Sequence, residues 1–153
     1  MYSKEEASQL RKKFWISFGQ FMKLQTSASG MQINWVNYKS GIKNLNFKTD
    51  ADNKSAVIRI EMNAQDIDFQ HLMFEQFEEY KPIFESVAGD DWLWLKDIYD
   101  EHGKQVCRIE KRLEKVSIFR ESDWPEMIRF LKTNLMALDE FWEDSKHDFE
   151  IFK

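Results

Sequence analysis

Two stretches of the chain alternate apolar and polar residues with period two, and three others repeat apolar residues every three or four positions. These are the signatures of half-buried strands and amphipathic helices. The chain is organised around residues 34–62, NWVNYKSGIKNLNFKTDADNKSAVIRIEM, which read as a lead-in followed by a β-hairpin. The first strand, about 42–49, sets Leu45 and Phe47 on one face and Asn44, Asn46 and Lys48 on the other. The second, about 55–62, sets Ala56, Ile58, Ile60 and Met62 against Val57, Arg59 and Glu61. Asp50-Ala51-Asp52-Asn53 supplies the turn, because Asx side chains bond back to nearby backbone. Counting outward from it places Leu45 opposite Ile58, Phe47 opposite Ala56, Asn44 opposite Arg59 and Asn46 opposite Val57.

The helical patterns flank this hairpin. Leu10, Phe14, Phe18 and Met22 recur at four-residue steps, with Trp15 and Phe21 beside them, so residues 3–25 predict a helix. Ser3 and Glu6 have capping-box spacing. A second helix runs from about 67 to 88, with Asp66 as N-cap and a stripe of Phe69, Met73, Phe77, Tyr80 and Phe84. Pro82 removes a backbone donor inside it and predicts a kink or break, and Gly89 closes it. Asp123-Trp124-Pro125-Glu126 combines an N-cap, an early Pro and a capping-box Glu. Ile128, Leu131, Leu135, Leu138, Trp142 and Phe149 follow at helical spacing, predicting a helix to about residue 150. Its length, roughly 40 Å, spans a whole domain of this size, so the aromatic end must fold back or meet a partner.

Residues 92–113 read as a second hairpin around Asp100-Glu101-His102-Gly103, a type I turn with a left-handed Gly. That turn places Leu95 near Ile109 and Trp94 near Glu110, whereas a two-residue turn at His102-Gly103 would shift the pairing by one and mix the faces. Leu93, Leu95, Cys107 and Ile109 then share the core face. Trp92, Trp94, Lys96, Arg108, Glu110 and Arg112 share the other. The order α-ββ-α-ββ-α makes a single α+β domain over residues 1–153, with a four-stranded antiparallel sheet from two hairpins and a long C-terminal helix.

Composition narrows the function classes. Lys plus Arg number 22 against 27 Asp plus Glu, a net charge of −5, so a nucleic-acid role needs a local basic patch on an acidic body. The single cysteine, Cys107, excludes an internal disulfide framework and a multi-cysteine zinc site. No apolar run approaches the ~20 residues of a membrane span, and the N-terminus has no signal-peptide pattern; a cytoplasmic location is the expectation.

Catalytic and metal signatures are weak. His71, His102 and His147 have no second His at i+3 or i+4, and His71 with Glu75 is only a pair. Asp50, Asp52 and Glu61 mimic part of an EF-hand, but Lys54 and Ser55 stand where a ligand and Gly are required. No nucleophile elbow or Gly-rich phosphate loop is present, and Cys107 falls on the core side of its strand. A metal-dependent nuclease needs an acidic residue near Asp/Glu-x-Lys; Asp52 with Glu61-Met62-Asn63 lacks the Lys, and Glu110-Lys111-Arg112 has Arg in its place. No catalytic residue, metal ligand or cofactor is therefore assigned.

The organising stretch, together with FEQFEEYKPIFE, SDWPEMIRFLKTNLMALDEFWEDSKHDFE and Phe14-Trp15, resembles a bacterial domain of unknown function catalogued as family 4268. The resemblance covers most of the chain and rests on fold-wide patterns, with Pro82 a departure. Such domains often follow a nuclease-like domain, which implies an accessory role near nucleic acid and brings no catalytic residues.

Three functional readings stand at this level. The first is a non-catalytic binding module that takes nucleic acid or a nucleic-acid-processing protein. The second is a degenerate metal-dependent nuclease, and the third is a structural homodimer using the C-terminal helix. The candidate surface is the polar sheet face, with Arg59 and Glu61 beside Trp92, Trp94, Arg108, Glu110 and Arg112, and Lys39 and Lys43 as a basic rim. Tryptophan beside arginine suits base stacking. With three amphipathic helices available, the expectation is that a helix covers this face and that Arg59–Glu61 and Arg108–Glu110 pair beneath it.

Overall fold

The computed structural model describes residues 2–153. Ser3 and Glu6 exchange side-chain and backbone hydrogen bonds, the capping box that starts α1 (Lys4–Met22). The four-residue stripe buries Phe14, Phe18 and Met22.

The first hairpin pairs β1 (Leu45–Ala51) with β2 (Ser55–Met62). Its turn lies further along the chain than counted, because Asp52 accepts from the amides of both Lys54 and Ser55, at 2.8 Å each. Leu45 therefore faces Met62 and Phe47 faces Ile60, in place of Ile58 and Ala56. On the polar side Asn46 faces Glu61 and Lys48 faces Arg59. Asn44 takes a left-handed conformation just before the strand, so it does not face Arg59. The displacement preserves the alternation, and each residue keeps its expected face.

The next helix is two. Pro82 sits in the first turn of α3 (Lys81–Ala88), and Tyr80 separates that helix from α2 (Ile67–Glu79). Asp66 caps α2 by accepting from the Phe69 amide.

The second hairpin, β3 (Leu93–Tyr99) with β4 (Gln105–Glu114), corrects the expected faces. The turn forms as read: Asp100 accepts from the amides of His102 and Lys104, and Gly103 is left-handed. Next to it Tyr99 faces Gln105 and Ile98 faces Val106. A bulge at Lys96–Asp97, with Asp97 at φ 58°, then slips the pairing by one residue. Trp94 consequently faces Ile109 and Leu95 faces Arg108. Trp94 packs edge-on against Phe74 and Phe84, and Trp92 packs against Phe84 while donating to the Ala88 carbonyl. Both tryptophans belong to the core side. Leu93 and Leu95 take the places expected for them, beside Glu110 and Arg108.

The strands lie in the order β1-β2-β4-β3, all antiparallel. Helix α4 (Trp124–Ser145) has 22 residues, about 33 Å, and ends short of the expected 150. The chain tightens into a 3-10 segment, Lys146–Phe152, and turns its aromatic end inward. Phe149 lies 4.5 Å from Phe77 and 5.2 Å from Trp142, and Phe152 lies 5.5 Å from Phe69. Asp123 does not cap α4 with its side chain. Its carboxylate accepts from the Ser117 amide and pairs with Arg120, which takes it away from the helix amides.

Helices α2, α3 and α4 pack on one side of the sheet, where Phe47 meets Trp142, Cys107 meets Gln70, and Phe84 meets Trp94. Helix α1 joins this layer through α4. Among the described residues, no helix packs on the second face, contrary to expectation. The long connection between α1 and β1 is fastened to α4 by Asp139, a buried carboxylate that accepts from the hydroxyls of Ser27 and Tyr38 and the amide of Ala28.

Removing core volume at the middle of α4 or at the returning end should be costly. Leu135→Ala is expected to lower stability by roughly 2–5 kcal/mol and Phe149→Ala by about 3–5 kcal/mol. Urea unfolding measures both. An unchanged midpoint in Phe149→Ala would show that the aromatic end is not part of the core.

Candidate functional site

Strand alternation sets Lys48 from β1, Val57, Arg59 and Glu61 from β2, and Val106, Arg108, Glu110 and Arg112 from β4 on the uncovered face. Leu93, Leu95 and Ile98 from β3 border them. Three of the ion pairs run across strands and one, Arg112–Glu110, runs along β4; the expected Arg59–Glu61 and Arg108–Glu110 pairs are replaced by Arg59–Glu110 and Arg108–Glu61. Glu61 accepts from Arg108 at 2.8 Å and from Lys48 at 3.0 Å. Glu110 meets Arg112 at 3.2 Å and Arg59 at 3.8 Å. Four cations (Lys48, Arg59, Arg108, Arg112) and two glutamates make a lattice whose long side chains shield each other, leaving Glu61 and Glu110 buried without any covering helix.

Two members are electrostatically marked. Burial by itself raises the Glu61 carboxyl, but hydrogen bonds from Lys48 and Arg108 and their positive charge hold it below its ordinary value. Burial and the neighbouring Arg108 pull the Arg59 guanidinium down, against the counteracting Glu110, Glu61 and Asp50. Arg59 Nε is buried and has no acceptor among the described residues.

Of the residues singled out in the sequence, Arg59, Glu61, Arg108, Glu110 and Arg112 do converge here. Lys39 bridges Asn46 at the outer edge of β1 and so borders the same face, and Lys43 is exposed in the loop before the strand. Trp92 and Trp94 are on the opposite side, and base stacking on this face has lost its aromatic platform. The nuclease arrangement is also broken. Asp52 lies in the turn before β2 and Glu61 near the strand's far end, about 30 Å apart along an extended chain, too far to share a metal ion. Glu110 and Arg112 share the open face, whereas Lys111 points to the other side and pairs with Asp91.

The fold also assembles a group that the sequence did not reveal. His71 from α2, Asp97 from the β3 bulge and Cys107 from β4 bring their donor atoms within 4.8 Å of one another. His71 Nε2 contacts Asp97 Oδ1 at 2.5 Å, and Gln105 Nε2 donates to the same oxygen at 2.7 Å. These contacts lower the Asp97 carboxyl below its ordinary value, whereas burial pushes the Cys107 thiol up. Spacing rules could not find this set, because each member comes from a different element.

The Glu61 pairs make stability depend on acid. A carboxyl held low in the folded state stabilises above its unfolded value, about 4.3, and the benefit is lost as the pH falls through the folded value. Arg108→Met is expected to cost about 1–3 kcal/mol near neutral pH and to flatten the loss of stability below pH ~4.3. Urea midpoints measured across that range for both proteins check the sign. Parallel curves would mean that Arg108 does not hold Glu61.

No curated protein and no solved structure matches the chain. Among the described residues, no helix is long and apolar enough to cross a membrane. The family model described as a domain of unknown function (DUF4268) matches residues 10–146, from within α1 through the whole sheet to the end of α4. The chain is a member of that family.

Proposed function

We propose that this chain is a non-catalytic binding module whose uncovered sheet face docks a protein partner. The observation that carries the reading is Arg59: it lies in a central strand of a face on which no helix packs among the described residues, and its buried Nε–H makes no hydrogen bond within the described chain, Glu110 Oε1 standing 3.8 Å away. A buried donor left unmade is expensive, and a partner carboxylate that draws the Arg59 guanidinium outward would relieve it. Beside it, the apolar border of Leu93, Leu95 and Ile98 offers contact area, with Leu93 exposed.

A protein fits this surface better than a phosphate backbone does. Glu61 and Glu110 already engage Lys48, Arg59, Arg108 and Arg112, so polyphosphate binding would have to displace those pairs. Both tryptophans that could have stacked on bases are turned to the core. The accessory role near nucleic-acid processing that family resemblance implies is then exercised through a protein contact. Lys39 and Lys43 would supply a basic rim to it.

A photo-crosslinking residue placed at position 93, with a control at exposed Ile16 on α1, tests this in cells that produce the chain naturally. The expected result is a discrete adduct with another protein from position 93 alone, lost when Arg59→Ala is added. Labelled single-stranded oligonucleotide should show no anisotropy change at physiological ionic strength. Adducts that form equally from position 16, or that survive Arg59→Ala, would overturn the reading. An adduct of twice the chain's mass would make the partner a second copy. Oligonucleotide binding that is lost in the Arg59→Ala, Arg108→Ala double variant would give the face to nucleic acid instead.

A further inference from the structure

We propose that His71, Asp97 and Cys107 form a binding site for a divalent transition ion of the zinc class. The site lies on the helix side of the sheet, away from the docking face, and is independent of it. The nitrogen, carboxylate oxygen and sulfur donors all fall within 4.8 Å of each other. A mixed nitrogen, oxygen and sulfur set selects borderline ions such as Zn²⁺ over Ca²⁺ or Mg²⁺, which take oxygen ligands. Tetrahedral zinc with these ligands separates its donors by about 3.3–3.5 Å. The His71–Asp97 contact would open, and the sulfur would close in, by about 1 Å each.

The surroundings are those of a built site. The bulge exists in an otherwise regular strand pair, and it puts a non-glycine residue, Asp97, at φ 58°. Bulges commonly re-aim a side chain, and local strain of this kind concentrates at functional positions. Here the re-aimed carboxylate meets His71. The ligands also have supporting partners. Gln105 holds Asp97 Oδ1, and the Asp97 backbone amide supports the Cys107 sulfur. Gln70, fully buried, is fixed by the carbonyls of Ala64 and Gln105 and accepts from the neutral thiol at 3.4 Å, a bond that positions Sγ in the metal-free protein and is given up when the thiol ionises to bind the ion. Such outer partners orient metal ligands. A thiolate and a carboxylate neutralise a divalent charge, so the ion can lie beside the core without uncompensated charge. Asp97 is largely exposed and gives the ion its way in, which leaves the fourth position to water.

Co²⁺ serves as the spectroscopic probe, titrated into protein freed of metal by a chelator. One equivalent should produce a thiolate-to-cobalt charge-transfer band in the near ultraviolet, Zn²⁺ should displace it, and Zn²⁺ should raise the melting temperature. His71→Gln and Asp97→Asn change partly exposed side chains and leave the core intact; each should weaken binding about tenfold or more. His102→Gln, in the second hairpin turn, should change nothing. Cys107→Ser should abolish the band. Absence of the band in folded wild-type protein would overturn the site. So would a band and a thermal shift that persist unchanged in His71→Gln and Asp97→Asn, which would reduce the cluster to a lone reactive cysteine.

Discussion

The one-residue slip at Lys96–Asp97 decides more of this molecule than any single contact. Without it, strand alternation would carry Trp94 to the face of Arg108 and Glu110 and turn Leu95 toward Ile109. With it, Trp92 and Trp94 lie against Phe74 and Phe84 and help to close the helical layer on the sheet. The same bulge leaves smaller side chains, Leu93 and Leu95, bordering the open face and aims Asp97 at His71. Core, open sheet face and candidate metal site thus share one backbone irregularity. The left-handed conformation of Asp97 is an unfavourable local choice, tolerated because large aromatic residues are buried in return.

The open face shows how a sheet side can be shielded without a second layer. Arg59, Arg108, Arg112 and Lys48 meet their glutamate neighbours so that the charged ends neutralise each other, and Val57 and Val106 on the same face are buried. Ion pairs of this kind contribute little net stability, because desolvation offsets much of the attraction. One donor, Arg59 Nε, is held only loosely in this scheme, 3.8 Å from Glu110 and without a hydrogen bond, in the interior of the sheet.

Asp139 plays the corresponding part on the helical side. Burial, first of all, raises the Tyr38 phenol well above its ordinary range, and the hydrogen bond to Asp139 and the carboxylate's charge act in the same direction. Tyr38 therefore stays a neutral donor. Together with the Ser27 hydroxyl and the Ala28 amide it satisfies a carboxylate that would otherwise be costly to bury, and it anchors the connection before β1 on α4. The Trp35 indole, donating to the Gln25 carbonyl, fastens the same connection to the residues just after α1.

Periodicity and capping by themselves determined the element order, the two hairpins, the break at Pro82 and the core stripe of α4. These are local: a side chain's face follows from spacing, and Ser3, Asp66 and Asp100 form their hydrogen bonds within four residues. Five of the open-face residues, Arg59, Glu61, Arg108, Glu110 and Arg112, were legible for the same reason. What only the tertiary structure decided was every outcome set by competition between distant groups. Asp123 has the spacing of a cap, but the Ser117 amide takes its carboxylate. Trp92 and Trp94 have the parity of the polar face, but burying them against α2 and α3 favours a bulge that no spacing rule announces. The helices had amphipathic faces to cover either side of the sheet, and the larger apolar area drew them all to one. His71, Asp97 and Cys107 are strangers in sequence, and only the packing of α2 on the β3–β4 pair makes them neighbours.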